Sequence, residues 1–144
     1  MSKKRVLIVD DSATVRLQIS QALTEAAFDV VEAADGQIGL ETIDSDLTIQ
    51  AVICDLNMPR MSGIEMLAAV KAQAKHQALP ILMLTTDGQP SLIKKAKELG
   101  AKGWIVKPFK ASQLVSVVHK LLALNGPSPD AKPRPAPSAG ASSD

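Results

Sequence analysis

One cysteine, Cys54, stands in the 144 residues, so no disulfide can form within the chain. A lone thiol fits a reducing compartment, and inside an apolar run it reads as a small core residue. Histidine is scarce as well. With only His76, His119 and that cysteine, the sequence offers no cluster of the zinc-binding kind. Both histidines read as surface or helix-flank residues without a role. Charge of one sign is missing: 16 Lys and Arg against 15 Asp and Glu leave a net +1. That balance supplies no strong pull toward nucleic acid or an anionic membrane. Long apolar runs are missing too. Behind the basic "MSKKR" the apolar stretch is only Val6 to Val9, too short for a signal-peptide core. Nothing elsewhere approaches the roughly 20 residues a membrane helix needs. The expectation is a cytoplasmic protein with neither nucleic acid nor membrane among its partners.

What is present is a set of short, fully apolar runs: "RVLIV" (5–9), "AVIC" (51–54), "ILML" (81–84) and "WIV" (104–106), with a weaker "FDVVEA" (28–33). Apolar residues at every position, rather than at every second one, mark strands covered on both faces. Between them lie helical stripes. Val15, Ile19, Ala22, Leu23 and Ala26 line one face, as do Leu114, Val117, Val118, Leu121 and Leu122. Leu92, Ala96 and Leu99 make a shorter stripe, and Ile64, Leu67 and Ala68 mark a helix entered through Gly63. The segment from Gly36 to Leu47 reads as helical on a poorer pattern. Ser12 and Ser112 are suited to N-caps and Gly100 to a C-cap. Strands alternating with helices five times predict βαβ units and a parallel sheet. The fold class is therefore α/β: a five-stranded, doubly wound sheet with helices on both faces, over residues 1–124. No internal repeat is visible.

After Asn125-Gly126 the composition changes to "PSPDAKPRPAPSAGASSD", which holds no aliphatic residue larger than alanine. Such a segment cannot bury enough apolar surface to offset its ordering entropy. Residues 125–144 are expected to form a disordered, partly polyproline-like tail, serving as a solubilising extension, a tether or a docking peptide.

Polar residues gather where the strands end: Asp10-Asp11, Asp55, Thr85-Thr86 and Lys107-Pro108. In an open parallel sheet the site lies outside the carboxyl ends of the strands, where strand order reverses. For the order 2-1-3-4-5 that point falls between strands one and three. Asp10, Asp11 and Asp55 would converge there, with Thr85 and Lys107 closing the far side. Three carboxylates at close range repel one another unless a cation intervenes. All-oxygen ligation suits Mg²⁺. A metal and a lysine at one strand terminus make a surround for a phosphoryl group. Asp55 can act as its nucleophile and form an acyl phosphate. Any one of these residues alone would more often be a helix cap or a solvated loop residue. Four strand ends that each carry a residue the chemistry needs favour the functional reading.

The stretches "VLIVDDSATVR", "VICDLNMPRMSGIEML", "PILMLTT" and "GAKGWIVKPF" resemble the receiver domain of bacterial two-component response regulators, above all the single-domain CheY type of chemotaxis. That type is itself a standard example of the 2-1-3-4-5 order. The resemblance implies that Asp55 accepts phosphate from a phosphohistidine on a histidine kinase. It implies that Asp11 ligates Mg²⁺ directly, with Asp10 acting through water or hydrogen bonds, Asp55 adding an oxygen and Asn57 its backbone carbonyl. Thr85 and Lys107 would sense and hold the phosphoryl group, the bond between Lys107 and Pro108 would be cis, and Asn57 and Asp87 would position water for self-dephosphorylation. Output would pass to a downstream protein on the face made by the last two helices and last strand, where Trp104 turns inward as Thr85 is drawn toward phosphate. Tyr or Phe is commoner at the Trp104 position, and a small residue at Thr86. Two bulky side chains here imply a restricted or differently packed switch. Lys94, Lys95, Lys97 and Lys110 near Trp104 make a basic patch suited to an acidic peptide, or an ordinary solvated face. Regulators of this type tend to act as monomers.

Two other functions compete. A phosphate sink or relay intermediate would be phosphorylated without a partner reading it. A metal-dependent hydrolase of the haloacid-dehalogenase kind would need an acid two residues after its nucleophile, where this chain has Asn57.

Overall fold

The structure, a computed structural model, describes residues 4–58, 61–86 and 90–125. Asp87 and the proline-rich stretch from residue 126 onward lie outside the described residues. The elements run β1 (Arg5–Val9), α1 (Ala13–Glu25), β2 (Asp29–Ala33), α2 (Gly36–Ser45), β3 (Ile49–Asp55), α3 (Gly63–Lys71), a 3₁₀ turn (Ala74–His76), β4 (Ile81–Thr85), α4 (Pro90–Glu98), β5 (Gly103–Val106) and α5 (Ala111–Asn125). All four strand pairings are parallel, and the order is β2-β1-β3-β4-β5. The doubly wound sheet expected from the alternation of patterns is the sheet observed.

The fully apolar strands feed two cores. Leu7, Val9, Val52, Cys54, Ile81 and Met83 point to the layer under α2, α3 and α4. Their neighbours Val6, Ile8, Ala51, Ile53, Leu82 and Leu84 meet α1 and α5, where Ile19, Leu23, Leu114 and Val118 are buried. Each fully buried aliphatic side chain contributes about 1.5–3 kcal/mol relative to exposure. Two covered faces leave the strand ends as the place where polar groups can collect.

Local chemistry fixes the helix ends. Ser12 Oγ accepts from the Val15 amide at 3.3 Å and caps α1. Ser62 and Glu65 form a reciprocal capping box at the start of α3. Past α4, Gly100 adopts φ +109°; its N–H donates to Lys97 O and that of Ala101 to Ala96 O. This left-handed closure is the one a glycine makes without a Cβ penalty. α1 ends the same way, but with Ala27 at φ 70°.

Four expectations need correction. The third strand starts at Ile49, two residues before "AVIC". α2 stops at Ser45 rather than Leu47. There the Asp46 carboxylate takes the Thr48 amide and the Arg5 guanidinium, which turns the chain out of the helix. Ser112 is not the cap of α5. The helix begins at Ala111, with Leu114 N–H donating to Lys110 O, and Phe109 packs against the α1–α5 layer just before it. His76 is fully buried, not a surface residue, and its Nε2 lies 2.9 Å from Asp44 Oδ1 on α2. That partner is 32 residues away in sequence, and no local pattern announces it. His119 is exposed, with its ring 5.1 Å from that of Phe28.

Candidate functional site

Register brings the acids together. Val9 pairs with Cys54 across β1 and β3, so the residues that follow, Asp10 and Asp55, leave the sheet side by side. Asp55 in turn pairs with Leu84 of β4, which sets Thr85 one step beyond. β1 lies between β2 and β3, so this is the point where the strand order reverses. Asp10, Asp11 and Asp55 each offer an oxygen, and these atoms lie within 4.8 Å of one another. Asp10 and Thr85 have no exposed surface, Asp55 is 5% exposed, and Asp11 is open to solvent.

Lys107 closes the cluster. Its Nζ stands 3.2 Å from Asp10 Oδ2 and 3.3 Å from Asp55 Oδ1. Its own amide donates to Thr85 O at 2.7 Å, which ties the loop after β5 to the end of β4. The Lys107–Pro108 bond is cis, as the resemblance implied. Burial is the main force raising the Asp55 pKa above the ordinary carboxylate value, and neighbouring Asp10 adds to it. Lys107 and the Asn57 amide, 3.4 Å from Asp55 Oδ1, pull the other way without cancelling the rise. A carboxylate in that state is poised to take up further positive charge.

The donor set tests whether a metal fits. Asp10 is already committed: Oδ1 accepts from the Ser12 amide at 2.8 Å and Oδ2 meets Lys107. Asp11 and Asp55 retain oxygens for direct ligation. Oxygen donors alone, without His or Cys, suit a hard divalent cation such as Mg²⁺. Cys54, buried beside Asp55, has its thiol pushed well above its usual pKa by desolvation and then by the two carboxylates. It is therefore inert, as its place in an apolar run implied.

The remaining expected residues sit around this centre. Asn57 is exposed and contributes its amide to Asp55. Thr85 Oγ1 donates to the Thr86 carbonyl at 3.0 Å. Thr86 itself is exposed, and Pro108 is exposed beside Lys107. Trp104 pairs in register with Met83, is 39% exposed, and carries Lys97 Nζ at 5.6 Å from its ring centre. Lys94, Lys95, Lys97 and Lys110 are all exposed. Asp87 lies outside the described residues.

One contributor escaped the sequence reading, and one was read only in part. Arg16 donates to the Asp10 carbonyl at 2.6 Å and pairs with Glu32 at 3.1 Å, locking the end of β1 to α1 and β2. The only signal for it was a cation one turn after the Ser12 cap. Gly63, legible as the entrance to α3, has a further steric role. A Cβ there would lie 2.2 Å from the Asp55 carbonyl oxygen.

Comparison with known proteins agrees with this geometry. Residues 6–119 match the model of the response regulator receiver domain. The chain is 33% identical over 122 residues to chemotaxis protein CheY1 of Helicobacter pylori, covering 84% of this chain and 98% of that one. To chemotaxis protein CheY of Pseudomonas aeruginosa it is 36% identical over 118 residues, covering 81% and 94%. The solved structure of chemotaxis protein CheY4 from Vibrio cholerae superposes with a TM-score of 0.79 at 38% identity, covering 84% of this chain and all of that one.

Proposed function

The chain belongs to the response regulator receiver domain family, and from that premise we propose that it is a single-domain, CheY-type switch of chemotaxis or motility signalling, phosphorylated on Asp55. The observation that carries the reading is Lys107 bridging Asp10 and Asp55 within a cluster of three carboxylates. Asp55 attacks the phosphorus of a phosphohistidine on a sensor kinase: an oxygen–phosphorus bond forms, the nitrogen–phosphorus bond breaks, and the imidazole leaves with its electron pair and takes a proton. Asp11, Asp55 and the Asn57 carbonyl would hold Mg²⁺, with Asp10 behind them, and the ion would supply charge neutralisation for the transferring group. Lys107 sets a point charge against one phosphoryl oxygen. Thr85 turns its hydroxyl from the Thr86 carbonyl to another. Asn57, with Asp87, orients the water that removes the group.

Phosphorylation then biases a two-state element rather than pushing it. As Thr85 moves, Trp104 leaves its place under Lys97 and turns inward, altering the face formed by α4, β5 and α5. That face, basic and centred on an aromatic residue, receives a downstream protein. The switch domain runs to the end of α5 at Asn125, one residue past the expected boundary, residues 126–144 are a separate tail, and the chain acts as a cytoplasmic monomer that catalyses only its own phosphorylation and dephosphorylation. Asn57 at the second position after the nucleophile argues against a phosphomonoester hydrolase, which needs an acid there.

Trp104 is the only tryptophan and so reports the switch directly. Mg²⁺ and then acetyl phosphate or beryllofluoride are titrated while its fluorescence is followed, with Asp55→Asn as control. A response to phosphodonor that the variant lacks is expected. A chain that gains phosphate by mass while Trp104 stays silent would act as a sink, and one that gains none would refute the assignment of Asp55.

A further inference from the structure

Each polar atom of Asp10 has a partner. Its amide donates to Ala33 O at 3.1 Å, Oδ1 accepts from the Ser12 amide at 2.8 Å, and Oδ2 meets Lys107 at 3.2 Å. Its carbonyl accepts from Arg16 Nη1 at 2.6 Å. Asp11 is the opposite case. It is exposed, and among the described residues its side chain has neither a hydrogen-bond nor an ion-pair partner. Yet one of its oxygens lies within 4.8 Å of an oxygen of Asp10 and one of Asp55.

The backbone before it must therefore place Asp11. The peptide joining the two residues is planar, with the Asp10 carbonyl and the Asp11 Cα in one rigid unit. A donor that fixes that carbonyl fixes the plane, and with it the starting point of the Asp11 side chain.

We propose that Arg16, anchored on Glu32, is a positioning residue for the Asp11 carboxylate and so sets the affinity of the acidic cluster for Mg²⁺. This rests on the reading of Asp11 as a direct ligand of the ion. The guanidinium suits the task because its donors form a rigid planar fork. Nε is held by Glu32 Oε1 of β2 at 3.1 Å while Nη1 reaches the Asp10 carbonyl. The Arg16 amide donates to Ser12 O in the first turn of α1, so its backbone is fixed as well. The arginine side chain is only 18% exposed, against 43% for Glu32, which shields its contacts from competing water.

Charge alone would give the opposite result. A cation beside a site for a divalent ion opposes binding, so removing Arg16 would tighten Mg²⁺ were its charge all that mattered. Loss of positioning loosens it. Were Arg16 only a clamp between α1 and the sheet, its removal would lower stability and leave Mg²⁺ affinity unchanged.

The test is a Mg²⁺ titration of the parent, Arg16→Met, Glu32→Ala and the double variant. Binding is followed by the amide shifts of Asp11 and Asn57, and stability by urea unfolding. Methionine keeps the helix propensity of the position. Arg16→Met is expected to raise the Kd about tenfold, the lower end for groups that support a metal ligand, and Glu32→Ala about threefold. The rise should persist at about 1 M salt, where the Debye length is about 3 Å and effects of charge at a distance are screened. The double variant should bind no more weakly than Arg16→Met, because Glu32 acts through Arg16. A Kd in Arg16→Met that is unchanged or lower, or a rise that vanishes in salt, overturns the proposal. So do single effects that multiply in the double variant. If Arg16→Met does not fold, Glu32→Ala decides, and an unchanged Kd there is the refuting result. Asp11→Asn in the same titration tests the reading beneath. If the parent binds no Mg²⁺, or Asp11→Asn binds it as tightly as the parent, the metal site and the role of Arg16 fall together. If Asp11→Asn loses the ion and Arg16→Met does not, only the role of Arg16 falls.

Discussion

Three glycines separate the ways in which a missing side chain matters, and Gly63 is the severe one. It opens α3 directly against the end of β3, with its N–H donating to Leu56 O at 3.0 Å. A Cβ at this position would lie 2.2 Å from the Asp55 carbonyl oxygen and 2.9 Å from Leu56 Cα. Non-bonded heavy atoms settle near 3.5 Å, so α3 and the strand end must part by about 1 Å. Both obstacles are backbone and neither can swing aside. Gly63→Ala should therefore cost at the upper end of the overpacking range, about 3 kcal/mol. For a domain of this size that is a fall of roughly 10 °C in Tm. Gly100 meets only the flexible Lys71 stem, no nearer than 3.5 Å, but holds φ +109°. Gly100→Ala should cost about 1 kcal/mol through backbone strain alone. Gly103 meets one methyl, Leu82 Cδ1, at 3.4 Å, and Gly103→Ala should stay within about 0.5 kcal/mol of the parent. Urea unfolding followed by far-UV circular dichroism ranks the four proteins. A Gly63→Ala variant as stable as the parent, or more stable than Gly100→Ala, would refute the argument that α3 is set by contact with the Asp55 backbone.

Ala27 closes α1 in the left-handed region, with Phe28 N–H on Leu23 O at 2.9 Å, so Ala27→Gly should raise the urea midpoint by about 1 kcal/mol of stability; no gain would show that the conformation carries no strain. The Asp46 carboxyl is held below the usual range by Thr48 and then Arg5, against the opposing effect of burial. Its folded pKa lies below its unfolded one, so its contribution is full above about pH 3.9 and is lost as pH falls through the folded value. The stability gap between parent and Asp46→Asn should narrow from pH 7 to pH 2.5, and a constant gap would remove Asp46 from the acid response. Thr86→Ala should enlarge the Trp104 fluorescence change on adding beryllofluoride by relieving the bulk at the switch, and an unchanged amplitude would show that Thr86 does not restrict Trp104.

The fold was readable because its signals are local. Strands covered on both faces need apolar residues at every position, and "RVLIV" and "ILML" supply them without reference to anything distant. The cap at Ser12 and the closure at Gly100 likewise depend only on side chains or φ values within a turn. Ser112 failed by the same token: a serine suits an N-cap wherever it stands, and where α5 begins is set by Phe109 packing against the core beside it. His76 failed because its burial depends on Asp44, on another helix.

The candidate site divides along the same line. Sequence alone determined which residue types stand at the strand ends: acids after β1 and β3, a hydroxyl on β4, a lysine after β5. Their chemistry, hard oxygen ligands beside a fixed positive charge, was legible from identity and order. Tertiary structure decided the pairings. It decided that Lys107 spans both Asp10 and Asp55, that Arg16 fastens the Asp10 carbonyl, and that Gly63 must be bare because the Asp55 carbonyl already fills the place of its Cβ. Each of these is a distance between segments far apart in the chain, set by parallel register and helix packing. A linear pattern names the groups that can interact, and only the closed sheet fixes which atoms come within reach.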